Sequence, residues 1–476
     1  MSLEDDLATL SVTIDPSERS PLYQQLAEQI RQRVLSGHLS PGEQLPSSRK
    51  LAQLLGISRT STLNAYDQLV AEGLLITRPA SGIFVSALGS AVTPVDGELN
   101  RSPAPPPRKA HGVLLGGFDS GPDVELFPFA EWSRSLSRVW RRPDPMLLRD
   151  ANLGGYFPLR QAVARYVNAV RGVECLPEQV IITAGSRDAL ALIAKALLEE
   201  GDRVALENPC YPPLRHGLKT QGVRRVDCSV DAEGMTLPAI DVSMAWSTPA
   251  RQYPLGVTMS TERRLQWLEL ARRTGCWLVE DDFDSEFQYR KVPPAPLYSL
   301  AAKIFSRDQQ PVILAGSFSK LMFKTLRIGY LIVPESQVDG FLHAQASLGN
   351  MASVPTQPAL ADFLGHRRFA SHLRRMRRCY QERRDYLCRL VQQELADKIS
   401  VDLPDCGMHL LMRINPRASA QEDWQLEQRL KSQGVYTPAL STHYAGEGVQ
   451  GLLLGFSGLP ESSLQQGVQR IKEVWS

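Results

Sequence analysis

The sequence predicts an α/β protein in two parts, a small helical unit ending in a β-hairpin and a large, mainly parallel sheet covered on both faces by helices. Three observations predict it. Residues from about 20 to 85 carry three helical apolar patterns and then two short β-prone runs. Residues from about 113 to 476 alternate apolar β runs with helical patterns, which is how a parallel sheet wrapped by crossover helices reads. Between them, Arg101-Ser102-Pro103-Ala104-Pro105-Pro106-Pro107-Arg108-Lys109 has no face that could enter a core and reads as a Pro-rich tether. A chain of 476 residues exceeds one ordinary core, so the expected boundaries are 15–86, a linker over 87–112, and 113–476.

The first helix is expected over Leu22 to Leu35, where the apolar positions 22, 23, 26, 30 and 34 follow the 3.6-residue period. Gly37 closes it and Pro41-Gly42 makes a turn. Pro46-Ser47-Ser48 supplies an N-cap for a short helix carrying Leu51, Leu54 and Leu55, ended by Gly56. Ser58 caps a third helix with Leu63, Tyr66, Leu69 and Val70 expected inward. Two helices joined by so short a turn read as helix-turn-helix. Leu74–Thr77 and Ile83–Val85, joined through Gly82, then form a hairpin or wing. In the large part the strand candidates are 180–183, 203–206, 276–280, 312–315 and 328–333, with helices such as 187–199 and 261–274 between them.

Composition narrows the function classes. A net charge of +2 excludes a polybasic protein, so any nucleic-acid contact must come from a local patch. Apolar runs stay short of the roughly 18 residues that span a bilayer. The start, MSLEDDLATL, is acidic and lacks the pattern of a secretory signal, so a cytoplasmic protein without membrane contact is expected. Seven cysteines at 175, 210, 228, 276, 379, 388 and 406 include no Cys-x-x-Cys pair, which argues for reduced, packed thiols and no metal site.

In open α/β sheets, ligands sit beyond the C-terminal ends of strands. Three strand ends carry matching chemistry. Gly316-Ser317-Phe318-Ser319-Lys320, followed by Arg327, joins one amine to two hydroxyls and a guanidinium. An amine can condense with a carbonyl while hydroxyls and an Arg fork hold a phosphate, and pyridoxal 5'-phosphate carries both groups. After Val180–Thr183, the turn Ala184-Gly185-Ser186-Arg187 opens a helix whose free N–H groups suit an anion. After Trp277–Glu280, Asp281 is a carboxylate able to keep a pyridine nitrogen protonated.

These residues lie within a wider resemblance. The runs GGYFPLRQAVARYV, VIITAGSRDAL, ENPCYPP, STPARQYPLGVTMS, VEDDFDSEFQY and GSFSK occur in the order seen in fold-type I aminotransferases, and LYQQLAEQIRQRVLSGHLSPGEQLPSSRKLAQLLGISRT resembles a GntR-type winged helix. Together the chain resembles the MocR/GabR group of regulators. The resemblance implies a winged helix-turn-helix before a fold-type I PLP-dependent, aminotransferase-like domain, with a small C-terminal α+β subdomain. It implies Lys320 as the Schiff-base lysine, Asp281 on the pyridine nitrogen, and Gly185, Ser186, Arg187, Ser317, Ser319 and Arg327 around the phosphate. Tyr211 would flank the ring, and Gln252 stands where related enzymes use an Asn toward the phenolic oxygen. It further implies a head-to-tail homodimer whose Lys320 responds to an amine or amino-acid effector, or to the vitamin itself.

Two departures bear on activity. Relatives usually read EDDYD where this chain has Phe283, so a hydroxyl toward the phenolic oxygen is missing. Aminotransferases keep an Arg three positions before the Phe of a C-terminal strand, where this chain has Leu453 before Phe456. Efficient transamination is therefore not expected, and a sensor is expected over a working aminotransferase with a DNA anchor. For the N-terminal unit the resemblance implies double-stranded operator DNA, read by Arg49, Ser58, Arg59, Thr60 and Ser61, with the wing at Gly82 near a minor groove. Residues 21–85 hold six Lys/Arg against four Asp/Glu, a modest basic excess. The Arg-rich stretch 366–384 has Leu373, Met376, Tyr380 and Leu387 as its buried stripe, which puts its arginines on the other faces. A solvated face is the expected role there, and a DNA-backbone contact the alternative.

Overall fold

The computed structural model describes residues 12–17, 20–79, 81–87, 118–149, 153–289, 294–349, 352–365, 367–415 and 422–475. The chain divides into two compact units, Met1–Ala110 and His111–Ser476. Apart from residue 87, the linker expected over 87–112 lies outside the described residues, as does His366.

In the first unit, α1 spans Leu22–Leu35, β1 Gln44–Leu45, α2 Ser48–Leu55, α3 Arg59–Ala71, β2 Leu75–Arg78 and β3 Gly82–Val85. The strands form one antiparallel sheet in the order β1-β3-β2, so the wing gains a short third strand that the sequence did not announce. Leu26, Ala27, Ile30, Leu51, Ala65, Tyr66 and Leu69 pack into one core. The inward face of α3 differs from expectation: Thr62 and Ala65 are buried, whereas Leu63 is 37 % exposed. Tyr66 and Leu69 face inward as expected, Tyr66 donating its hydroxyl to Pro46 O at 2.9 Å. Arg31 of α1 meets Glu72 just beyond α3 at 2.6 and 2.8 Å.

The second unit is built on eight strands. They are β4 Val180–Thr183, β5 Arg203–Asn208, β6 Arg224–Asp231, β7 Gly234–Met235, β8 Met244–Ser247, β9 Trp277–Asp282, β10 Val312–Ser317 and β11 Gly329–Ile332, ordered β4-β11-β10-β9-β8-β5-β6-β7. β11 runs against both neighbours and β7 against β6; the other pairings are parallel. Apolar side chains from the two sheet faces feed two cores, as expected of a sheet covered on both sides. Helices α4 Phe157–Arg171, α5 Ser186–Leu197 and α6 Thr261–Thr274 belong to this layer. The C-terminal part adds the long α7 Arg367–Leu395 and a three-stranded antiparallel sheet of β12 Ile399–Val401, β13 His409–Ile414 and β14 Gly451–Gly455. Two further helices, α8 Asp423–Ser432 and α9 Glu461–Trp475, complete it.

Three expectations need correction. β9 continues through Asp281 and Asp282, so those carboxylates are strand residues rather than loop residues. β10 likewise includes Ser317. On α7 the stripe Leu373, Met376, Tyr380 and Leu387 is buried, but Arg383 and Arg384 are buried with it. Arg383 reaches Asp123 at 2.8 Å and Arg384 reaches Asp385 at 2.6 Å, because a buried guanidinium must find a carboxylate or carbonyl.

Candidate functional site

Strand register assembles the site. β10 and β9 pair with Ala315 opposite Asp281, while β11 places Gly329 between Thr183 of β4 and Ser317 of β10. Residues distant in sequence therefore meet at one edge of the sheet. Gly185 caps α5 at φ +98, and a Cβ there would stand 3.2 Å from an Arg327 guanidinium nitrogen. Arg327 itself adopts φ 52, the left-handed region that a non-Gly residue seldom enters. The cradle thus brings a bare backbone turn and a planar cation into contact. Ser186 and Arg187 lie exposed in the first turn of α5, which has no side-chain cap. Ser317 Oγ accepts the Ser319 N–H at 3.3 Å, whereas Ser319 Oγ is buried without a partner. An unsatisfied buried hydroxyl beside an open helix N-terminus and an arginine fits a phosphate.

Lys320 donates its ammonium to Ser120 O at 3.2 Å. Burial pushes its pKa down; Asp284 and Asp119 oppose that shift, while Lys324 and Arg251 add to it. Lowered basicity is what an amine nucleophile needs. Asp281 lies at the end of β9, with Trp246 Nε1 donating at 3.4 Å. Desolvation raises its carboxyl from 3.8 to about 7, against that hydrogen bond, with Asp282 and Asp284 adding to the rise. A carboxyl so dehydrated would recover its charge beside a cationic ring nitrogen.

Tyr211, 44 % exposed, stands edge-on to Tyr253 at 5.8 Å. Gln252 is fully engaged elsewhere. Its amide donates to Pro209 O at 2.8 Å and Tyr253 O at 2.7 Å, approaches Glu207 Oε2 at 3.3 Å, and accepts from Leu255 N at 3.0 Å. In this geometry Gln252 holds the loop rather than facing a ligand. Its neighbour Tyr253 instead meets Phe283 at 5.9 Å and His409 at 5.5 Å.

Sequence reasoning missed several participants. Ser120 is one; Asp284, held by buried Arg251 at 3.1 Å, is another. Glu207, raised to about 7 by burial, and His409, pushed well below its usual value by burial and by Arg251, complete the set. Asp284 lay inside the quoted VEDDFDSEFQY run, but its partner is 33 residues away and carries no local signal.

In the first unit, Ser58 Oγ accepts the Ser61 N–H at 3.0 Å and lies 2.9 Å from Ser61 Oγ, so this pair caps α3. Arg49, Arg59 and Thr60 are exposed. Gly82 opens β3 at φ +116, beside Gln44, whose amide donates to Ser81 O at 2.7 Å.

Comparisons with known proteins agree with both halves. Residues 22–85 match the family "Bacterial regulatory proteins, gntR family", and residues 149–471 match "Aminotransferase class I and II". The probable rhizopine catabolism regulatory protein MocR of Rhizobium meliloti is 34 % identical, the alignment covering 98 % of this chain and 96 % of that one. This chain is a MocR-type member of the gntR family. The HTH-type pyridoxine biosynthesis transcriptional regulator PdxR of Corynebacterium glutamicum is 32 % identical over 99 % of each chain. Among solved structures, the α-aminoadipate aminotransferase LysN of Thermus thermophilus, complexed with N-(5'-phosphopyridoxyl)-L-leucine, superposes with TM-score 0.68 at 26 % identity. That match covers 76 % of this chain and 92 % of LysN. The protein is a DNA-binding transcriptional regulator with a fold-type I domain, and the cofactor of that domain is pyridoxal 5'-phosphate. Among the described residues, no helix is long and apolar enough to cross a membrane.

Proposed function

We propose that this regulator works in the cytoplasm, binds operator DNA through the start of α3 and the β2–β3 wing, and uses Lys320 to register an amine effector or vitamin B6 itself. The partly buried amine of Lys320, its basicity lowered by desolvation and one strand from Asp281, is the observation that carries the reading. Bound pyridoxal phosphate supplies an aldehyde that condenses reversibly with a primary amine, and a ring that draws electrons. Around it, Arg327, Ser319 and the open turn of α5 would hold the phosphate dianion, Asp281 would favour a proton on the ring nitrogen, and Tyr211 would flank the ring. Burial lowers the basicity of Lys320, which favours the free amine that condensation requires.

On the DNA side, Arg59 and Thr60 at the exposed start of α3 would contact phosphates and base edges, with Arg49 alongside. The reading includes a head-to-tail homodimer, which would place two such units on one operator. Effector exchange at Lys320 would alter binding only through different affinities in its two states. Leu453, buried among leucines and tyrosines, supports sensing over efficient turnover.

The test uses purified full-length protein. A visible absorbance band should be lost in Lys320→Ala and kept in Arg59→Ala, while operator binding should show the reverse. A band indifferent to Lys320, or operator binding indifferent to Arg59, would contradict the corresponding half.

A further inference from the structure

The first half of α7 carries a cationic stripe that the fold leaves without counter-ions. From Arg368 to Gln381 the helix holds five arginines and no acid, and its first acid is Glu382. At 3.6 residues per turn, Arg368, Ser371, Arg374, Arg375 and Arg378 fall within an arc of about 120°, and all of them are exposed. The other side sends Phe369, Leu373, Met376 and Tyr380 into the core. Arg374 donates to Ser371 Oγ at 3.0 Å and Arg375 to Leu126 O at 2.5 Å. Among the described residues, however, the ion pairs of α7 begin only at Arg383 and Arg384.

Elsewhere the chain neutralises such runs. In α6, Arg263, Arg264 and Arg272 meet Asp231, Glu280 and Glu269. The bare stripe costs stability by comparison, because Arg374 and Arg378 are like charges at i,i+4. Arg368 adds positive charge to a helix start that favours anions and whose first turn holds no acid. A row of anions would relieve both. From Arg368 to Arg378 the stripe runs about 15 Å, a length over which one strand of a DNA duplex presents about four phosphates. Guanidinium forks and a serine hydroxyl are donors that phosphate oxygens accept. The first unit supplies little of the charge that backbone binding needs, with six Lys/Arg against four Asp/Glu over residues 21–85.

We propose that the α7 stripe is a second DNA-contacting surface, one that holds the phosphate backbone without reading sequence. It goes beyond recognition by α3 and the wing, and gives the aminotransferase-like unit a share of the DNA affinity. The probe is a mixed-sequence duplex of about 40 base pairs, bound by full-length protein at several salt concentrations and read by fluorescence anisotropy. Arg374→Ala combined with Arg378→Ala should lower the slope of log affinity against log salt by about 2, and weaken binding on the order of 10- to 100-fold at about 0.1 M salt. Arg272→Ala combined with Arg273→Ala removes the same charge from an exposed end of α6 and should leave both quantities nearly unchanged. Arg59→Ala, run in parallel, reports on α3 separately. If the α7 variant keeps the wild-type affinity and slope, or the α6 variant falls as far, the proposal is overturned, and Arg59→Ala still says whether recognition by α3 stands. If the α7 variant instead dissociates copies of the chain in sedimentation without changing the salt slope, the face is an interface between copies and the proposal is likewise overturned.

Discussion

Ser319→Ala should shift two measurements in opposite directions. The Ser319 hydroxyl is buried without a partner, and such a group destabilises a protein by about 1–3 kcal/mol. Removing it should therefore stabilise the cofactor-free protein. A unit of this size gains roughly 1–2 °C per kcal/mol, so the cofactor-free melting temperature should rise by about 1–6 °C. The same hydroxyl is placed to donate to a phosphate, and a hydrogen bond to a charged group contributes about 1.5–3 kcal/mol. Its loss should weaken pyridoxal phosphate about 10- to 150-fold. Differential scanning fluorimetry of stripped protein gives the first number, and equilibrium titration of the visible band gives the second. A Ser319→Ala protein that melts lower when stripped, or binds the cofactor unchanged, would refute the assignment of this hydroxyl to the phosphate.

Other outcomes follow from the same structure. Asp281 has its carboxyl raised from 3.8 to about 7 by burial, so the folded state retains a proton that the unfolded chain releases. Its contribution to stability is complete below about pH 4 and is lost as pH rises toward 7; in urea denaturation of stripped protein, Asp281→Asn should remove that slope and exceed the wild type at pH 8. Arg59→Ala should weaken operator binding and lower the salt slope of log affinity by about 1, read by fluorescence anisotropy at several salt concentrations. Arg171 and Asp282 form a buried pair at 2.8 Å, so Arg171→Leu should destabilise the larger unit by about 3–5 kcal/mol, visible as a lower urea midpoint. Tyr66→Phe deletes the hydroxyl that meets Pro46 O and should lower the stability of the first unit by about 1 kcal/mol, measured by hydrogen exchange in its core.

Local rules made much of this chain legible. The period of Leu22–Leu35 and the N-caps at Ser47 and Ser58 name their helices because capping and amphipathicity act within a few residues. Strands β4 and β10 show themselves as apolar runs because both faces are covered. What stayed hidden depends on partners far along the chain. Asp282 and Arg171 are 111 residues apart, and Lys320 and Ser120 are 200 apart. The duties of Arg383 and Arg384 were invisible for the same reason, since a run of arginines reads as a solvated face until its carboxylates are located. Thr62 replaced Leu63 on the inner face of α3 because neighbouring helices, not intrinsic hydropathy, decide which side of a short helix is covered.

The divergence of adjacent acids explains how one strand can carry both stability and sensing. Along β9 the side chains alternate between faces. Glu280 and Asp282 turn toward Arg264, at 3.8 Å, and Arg171, while Asp281 turns toward Trp246. Glu286, bonded to the Tyr166 hydroxyl at 2.5 Å, lies in the same buried network, raised to about 7 by burial and by Asp282. Among the described residues, three acids face two arginines in that layer. Burial first, with the neighbouring Asp282 and Asp284 adding to it, raises the Asp281 carboxyl to about 7 in the stripped protein. A cationic ring placed beside Asp281 would reverse that balance, so cofactor binding should be coupled to ionisation of Asp281 and tighten as pH rises toward 7. A reversible sensor gains from this arrangement, because the carboxyl that holds the ring also disfavours its own charge once the ring has left.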